Sequence, residues 1–88
     1  MKTILFYWSR GSETRVRMVR LIGKSEKSRK PCYINTLAKS LGLSHVAIKK
    51  HLDLLIDEGY VKILNPGGKP KFLALSGEGK KVAIEFSQ

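Results

Sequence analysis

Apolar residues fall along this chain in segments of differing period, separated by turn formers, and each segment predicts an element. Residues 1–11, MKTILFYWSRG, contain five consecutive apolar or aromatic residues from Ile4 to Trp8. A run without a period is compatible with helix or strand. It has two possible uses, as cover for the domain's own core or as a seam between two copies. In residues 12–23, Val16, Val19 and Ile22, joined by Met18 and Leu21, form the apolar stripe of a helix. Ser12 is suited to cap that helix, Glu13 to sit at its positive end, and Gly23 to stop it. Arg15, Arg17 and Arg20 occupy the remaining positions as a solvated face, from which one or two can reach a phosphate. Residues 24–34 read as a surface loop, KSEKSRKP, followed by Cys32-Tyr33-Ile34 as a short strand, with Pro31 barring a continuous helix.

Residues 35–59 predict two helices and a tight turn. Asn35 would cap a helix over 36–41, with Ala38 and Leu41 facing inward, and Gly42 can take the left-handed conformation that ends it. Ser44 is an N-cap for a second helix, in which Ile48, Leu52 and Leu55 share one face and which Gly59 closes. Ser44, Ala47, Lys49, Lys50 and Asp53 lie elsewhere on that cylinder. In residues 60–75, the flanks 60–64 and 71–75 have strand composition around the turn-rich Asn65-Pro66-Gly67-Gly68-Lys69-Pro70. Residues 76–88 form a last helix capped by Ser76 and weakened by Gly77 and Gly79, with Val82, Ala83 and Phe86 free to pack inward or on a partner.

Composition narrows the possibilities. Eighty-eight residues make a single domain, and a chain of this size gains from dimerisation because it buries little more than ~60% of its unfolded surface. No apolar run approaches the ~20 residues of a membrane span, and Ile4–Trp8 is too short for a signal peptide, so a cytoplasmic location without membrane insertion is expected. Seventeen Lys and Arg against seven Asp and Glu give a net charge of +10, which points first to nucleic acid as partner. Cys32 is the sole cysteine, which excludes an internal disulfide and a cysteine-rich zinc site.

A short helix, a glycine turn, a longer helix with a basic outer face and then a hairpin is the pattern of a winged helix-turn-helix. The chain resembles the winged-helix transcription regulators from about Ser12 to Lys81. SETRVRMVRLI is similar to the early helix of ArsR-type repressors, with Thr14, Arg15, Arg17 and Arg20 on the matching polar positions. LAKSLGLSHVAIKKHLDLLIDEGYV resembles the helix-turn-helix of the same family without a gap, and LALSGEGKK is closer to MarR-type relatives. The fold this implies is α+β, mainly α, with a three-helix core, a β-hairpin wing and flanking N- and C-terminal segments. Metal-sensing ArsR members carry two cysteines ahead of the first motif helix, where this chain has Tyr33 and Asn35. No metal site and no cofactor are therefore expected, since one thiolate falls short of the three or four ligands required.

The expected function is sequence-specific binding of double-stranded DNA by a transcription regulator, with the 44–58 helix in the major groove and the wing alongside. The candidate contacts are Ser44, His45, Val46, Ala47, Lys49 and Lys50 on that helix, Lys69 and Lys71 on the wing, and Arg29 and Lys30 in the basic loop. Ser44 and the free N–H groups of the helix start suit phosphate, Lys49 and Lys50 suit phosphate or guanine, and Val46 and Ala47 can meet a thymine methyl. His51 lies nearer the apolar stripe and reads as a packing residue. In the resembled families the terminal helices form a homodimer, a role that would fall here to Leu5, Phe6, Trp8, Val82 and Phe86. The alternatives are an architectural protein that coats DNA and a winged helix that docks on other proteins. Catalysis is not expected, because His45 has no orienting carboxylate and no glycine loop precedes a helix as a phosphate cradle. No effector pocket is legible.

Overall fold

The computed structural model describes residues 6–7 and 10–86, so the expectations for Leu5 and Trp8 lie outside the described residues. The order is α1 (Ser12–Lys27), α2 (Ile34–Leu41), α3 (His45–Asp57), β1 (Val61–Ile63), β2 (Leu73–Leu75) and α4 (Gly77–Glu85). The strands pair antiparallel, with Lys62 opposite Ala74. The mainly helical α+β architecture is as expected. No helix among the described residues is long and apolar enough to cross a membrane.

The first helix differs from the expectation at both ends. Gly11, not Ser12, is its N-cap, at φ 85°. It also runs through Gly23 to Lys27, so half of the predicted basic loop is helical. The stop is made by Arg29, which takes the left-handed conformation (φ 55°) where a glycine usually sits. The Arg29 N–H donates to the Glu26 carbonyl and the Lys30 N–H to that of Ser25. Gly23 serves packing instead: a Cβ there would lie 3.1 Å from Leu75 Cδ1 and 3.6 Å from Ala83 Cβ. The missing side chain lets β2 and α4 close onto α1.

Extension of α1 places Glu26 where its carboxylate accepts the Leu75 N–H at 2.6 Å, pinning the helix end to the wing strand. The predicted strand at 32–34 does not form. Tyr33 is the N-cap of α2, and Ile34 is already helical. The Thr36 hydroxyl, not Asn35, accepts from the Tyr33 N–H. One strand-like contact survives, in which the Cys32 carbonyl accepts the Leu73 N–H at 2.9 Å.

The core gathers Met18, Val19 and Ile22 of α1, Leu37 of α2, Ile48, Leu52 and Leu55 of α3, and Tyr60, Val61, Leu73 and Leu75 of the hairpin. Cys32 is buried among them, and burial pushes its thiol pKa up. Phe6 belongs to the same cluster, meeting the Tyr60 ring edge-on at 4.9 Å and tilting toward Phe86 at 6.3 Å. Of its two possible uses, this side chain takes the one within its own domain. Tyr7 rests on Phe86 at 5.3 Å and donates its hydroxyl to Glu85.

Gly79 is required by the way α4 meets the hairpin. A Cβ at this position would overlap the Tyr60 carbonyl oxygen, which itself accepts the Ser76 N–H. At Gly77 a Cβ would meet nothing. Gly79→Ala is expected to lower stability by about 1–3 kcal/mol through overpacking. Gly77→Ala should be neutral or stabilising by up to about 1 kcal/mol through helix propensity. Urea unfolding of the two variants measures the contrast, and equal midpoints would contradict this account of Gly79.

Candidate nucleic-acid interface

The helix-turn-helix is built by two matched caps. Gly42 ends α2 in the left-handed region at φ 66°, and its N–H donates to the Ala38 carbonyl. The Ser44 hydroxyl then accepts the Ala47 N–H at 3.1 Å and opens α3. Ile48, Leu52 and Leu55 are buried, which fixes the rotation of α3 about its axis. The opposite face is thereby turned outward. Val46, Lys50, Asp53 and Asp57 recur along it at helical spacing and are all exposed. Val46 keeps 69% of its surface, an unusual exposure for a β-branched apolar side chain in a folded domain.

The candidate residues of α3 share one end of this helix. Ser44, His45, Val46, Lys49 and Lys50 are exposed in its first two turns, and Ala47 is half-buried beside them. His45 does not stand alone: its Nε2 lies 3.2 Å from Asn35 Oδ1, a link across the turn between the two motif helices. Asn35 thus holds a candidate contact residue rather than capping a helix.

On the wing, Lys69 and Lys71 are exposed. Asn65, which pattern alone marks only as a turn former, organises the loop that carries them. Its Oδ1 accepts the Phe72 N–H at 2.7 Å, its Nδ2 donates to the Pro70 carbonyl at 3.0 Å, and its own carbonyl accepts the Gly68 N–H at 2.8 Å. One side chain therefore ties the outgoing arm of the wing to the returning one. At the base of the wing Phe72 packs on Tyr33, the N-cap of α2, at 5.2 Å.

Arg29 and Lys30 are exposed, yet they belong to the end of α1. Lys30 lines a shallow depression with Ser25, Thr36 and Ser40, on the side of the molecule formed by α1 and α2. Val82 and Phe86 are half-buried and pack against the domain's own core. Ile84 of α4 keeps 69% of its surface.

Arg15 was expected on the solvated face and is instead buried, at 4% exposure. Its Nη1 lies 3.2 Å from His51 Nδ1, and its Nη2 donates to the Arg10 carbonyl at 3.2 Å. The half-buried His51 is a packing residue, as its position beside the apolar stripe implies. Burial first, and the Arg15 charge second, hold its pKa below the ordinary value of 6.5. Among the described residues no group of three or more His, Cys, Asp or Glu side chains is placed to hold a metal ion.

Removal of the Asn65 carboxamide in Asn65→Ala is expected to leave the helices intact while freeing the wing. Its hydrogen bonds are worth about 1 kcal/mol each, so exchange of the Phe72 amide hydrogen should accelerate by roughly tenfold. Unchanged protection of that amide by NMR would show that the strand pairing alone holds the wing.

Compared as a sequence, the chain matches no protein-family model and no curated protein. Its structure does match solved ones. The multiple antibiotic-resistance repressor (MarR) of Listeria monocytogenes superposes with a TM-score of 0.75 at 20% identity, over 99% of this chain and 55% of that one. The heme sensor protein PefR of Streptococcus agalactiae, solved with heme, gives 0.75 at 17% identity over 98% and 58%. MepR of S. aureus, solved with DNA, gives 0.75 at 15% identity over 98% and 62%. The chain thus spans between half and two thirds of the length of these proteins. It has the winged helix-turn-helix fold of MarR-type repressors.

Proposed function

We infer that this chain is a transcription regulator that binds double-stranded DNA in a sequence-dependent way, with α3 entering the major groove. The observation that carries this reading is the N-terminal half of α3. There an exposed apolar side chain, Val46, stands beside the exposed Lys49 and Lys50 on a helix whose rotation the core fixes. A solvated helix face has no use for an exposed valine, whereas a valine between cations suits thymine methyls between phosphates. The net charge of +10 supports a polyanionic partner. That MepR, which shares the fold, has been solved with DNA supports it further.

In this reading Ser44 and the first N–H groups of α3 bind a phosphate, while Lys49 and Lys50 reach phosphate or a guanine edge. Val46 and Ala47 read a thymine methyl, and His45, oriented by Asn35, lies at the same tip. Lys69 and Lys71 meet the backbone or minor groove alongside. Two copies would present their recognition helices about 34 Å apart to a near-palindromic site.

The reading is tested by titrating fluorescent duplexes, the protein's own promoter region and a scrambled control, at two salt concentrations. A specific regulator should prefer the promoter by ~10³-fold or more. Lys49→Ala with Lys50→Ala should weaken binding to both duplexes and lower the salt slope by about 0.9 for each phosphate no longer neutralised. Equal, salt-sensitive affinity for the two duplexes would replace this reading with DNA coating. Absence of binding at low salt would replace it with protein docking.

A further inference from the structure

The contact between buried Arg15 and half-buried His51 joins α1 to the middle of α3. Its chemistry fixes a protonation state. A guanidinium can only donate, so the 3.2 Å approach of Arg15 Nη1 to His51 Nδ1 needs the lone pair of that nitrogen. His51 is therefore neutral here, with its proton on Nε2. Protonation at Nδ1 would set N–H against N–H and place a second cation beside a buried one.

Among the described residues, the charge that acts on the ring is that of Arg15, and no carboxylate offsets an imidazolium there. On α3 itself the residues one turn away are Ala47, Ile48, Leu54 and Leu55. The charged side chain of α2 is Lys39 and that of β1 is Lys62, both exposed cations, while α1 brings Arg15. Gly11 makes room for the ring, at a position where a Cβ would lie 2.5 Å from His51 Cε1.

We propose that the Arg15–His51 contact is an acid-sensitive latch that seats the recognition helix for DNA binding. With His51 neutral, the hydrogen bond ties the middle turn of α3 to α1 and holds its outer face in position. On protonation the bond breaks, the two cations repel, and the ring must turn out toward solvent. That movement displaces the turn carrying His51, next to Lys50. The proposal rests on the reading of α3 as the DNA-contacting helix.

The direction with pH follows from the depressed pKa of His51. The unfolded chain takes up this proton first, near 6.5, so the stabilisation is complete above that value and lost as pH falls through the lower pKa of the folded protein. His45 is a second histidine on the same helix, exposed at its tip, and its contribution is removed by substitution.

The test measures affinity for one fluorescent duplex from pH 7.5 to 5.5 in a His45→Gln background, with and without His51→Gln. Glutamine keeps a carbonyl that can accept from Arg15 but does not titrate. The latch requires the H45Q protein to lose affinity on acidification, approaching about tenfold per pH unit below the His51 pKa, and the double variant to stay flat. Parallel pH profiles for the two proteins would overturn it. A ring and amide NMR titration of the unsubstituted protein gives a readout independent of DNA. His51 should titrate below the ordinary histidine value of 6.5, from an Nε2–H tautomer, and carry the α3 amide signals with it. Titration of His51 without movement of those signals would overturn the latch even if DNA binds. Absence of DNA binding with the coupled NMR shift intact would instead reject only the DNA reading. The same NMR result decides the matter if the His51→Gln protein does not fold.

Discussion

Met18, Val19 and Ile22 of α1 are fully withdrawn from solvent, and α2, α3, α4 and β2 all pack against their helix. In a domain of 88 residues, which has room for one layer of core, a single helix has to serve as floor to all the others. Burial of side chains of this size is worth about 1.5–3 kcal/mol each, and they act here on every element at once. The other features of α1 follow from that duty. Gly23 removes a side chain where β2 and α4 crowd in, and Glu26 fixes the register of the wing strand through the Leu75 N–H. Arg15 reaches under α3 to His51. The position of the candidate DNA-reading helix and that of the wing are thus both set from α1.

Where local chemistry decides the structure, it is legible in the sequence. The Gly42 turn, the Ser44 cap, the buried triplet of α3, the hairpin and the Ser76 cap stand where pattern places them. The departures share a cause, which is tertiary packing overriding a local signal. Gly23 resembles a helix stop because glycine usually is one, yet it answers the approach of Leu75 and Ala83, residues remote in sequence. The true stop, Arg29, is left-handed without being glycine, and no rule of composition marks it. Arg15 shares its charge with Arg17 and Arg20, and only the fold shows that it alone points inward to His51. Asn65 does sit in a turn, as its type suggests, but its three partners depend on the return path of the chain.

The distribution of charge is also a product of the fold. Arg17, Arg20, Lys24 and Lys27 of α1 and Lys80 of α4 line an open groove together with Leu21, Leu41 and Ile84. Arg17 is met there by Glu13 at 2.9 Å, an exposed pair worth about 0–1 kcal/mol. Such a face raises the general affinity for polyanions and accelerates encounter with them, without discriminating among sequences. Discrimination between duplexes, on the reading proposed here, has to come from the few side chains at the tip of α3.

The charges of α3 itself run against helix stability. Its first turn holds no acidic residue and its last turn no basic one. Lys49 and Lys50 lie toward the positive end of the helix dipole, while Asp53, Asp57 and Glu58 lie toward the negative end. Each unfavourable placement near a terminus costs about 0.3–1 kcal/mol, and α1, with Glu13 in its first turn and Lys24 and Lys27 in its last, follows the favourable order. The stability of the helix therefore does not account for the arrangement. The proposed approach to a polyanion would: a helix whose cations and free N–H groups gather at one end, and whose carboxylates gather at the other, is drawn in tip first. A uniformly basic helix would lie along the phosphates in either sense. If α3 enters the major groove as proposed, its polarity gives it one direction of entry, and in that direction Val46 and Ala47 would come to the bases before any carboxylate does.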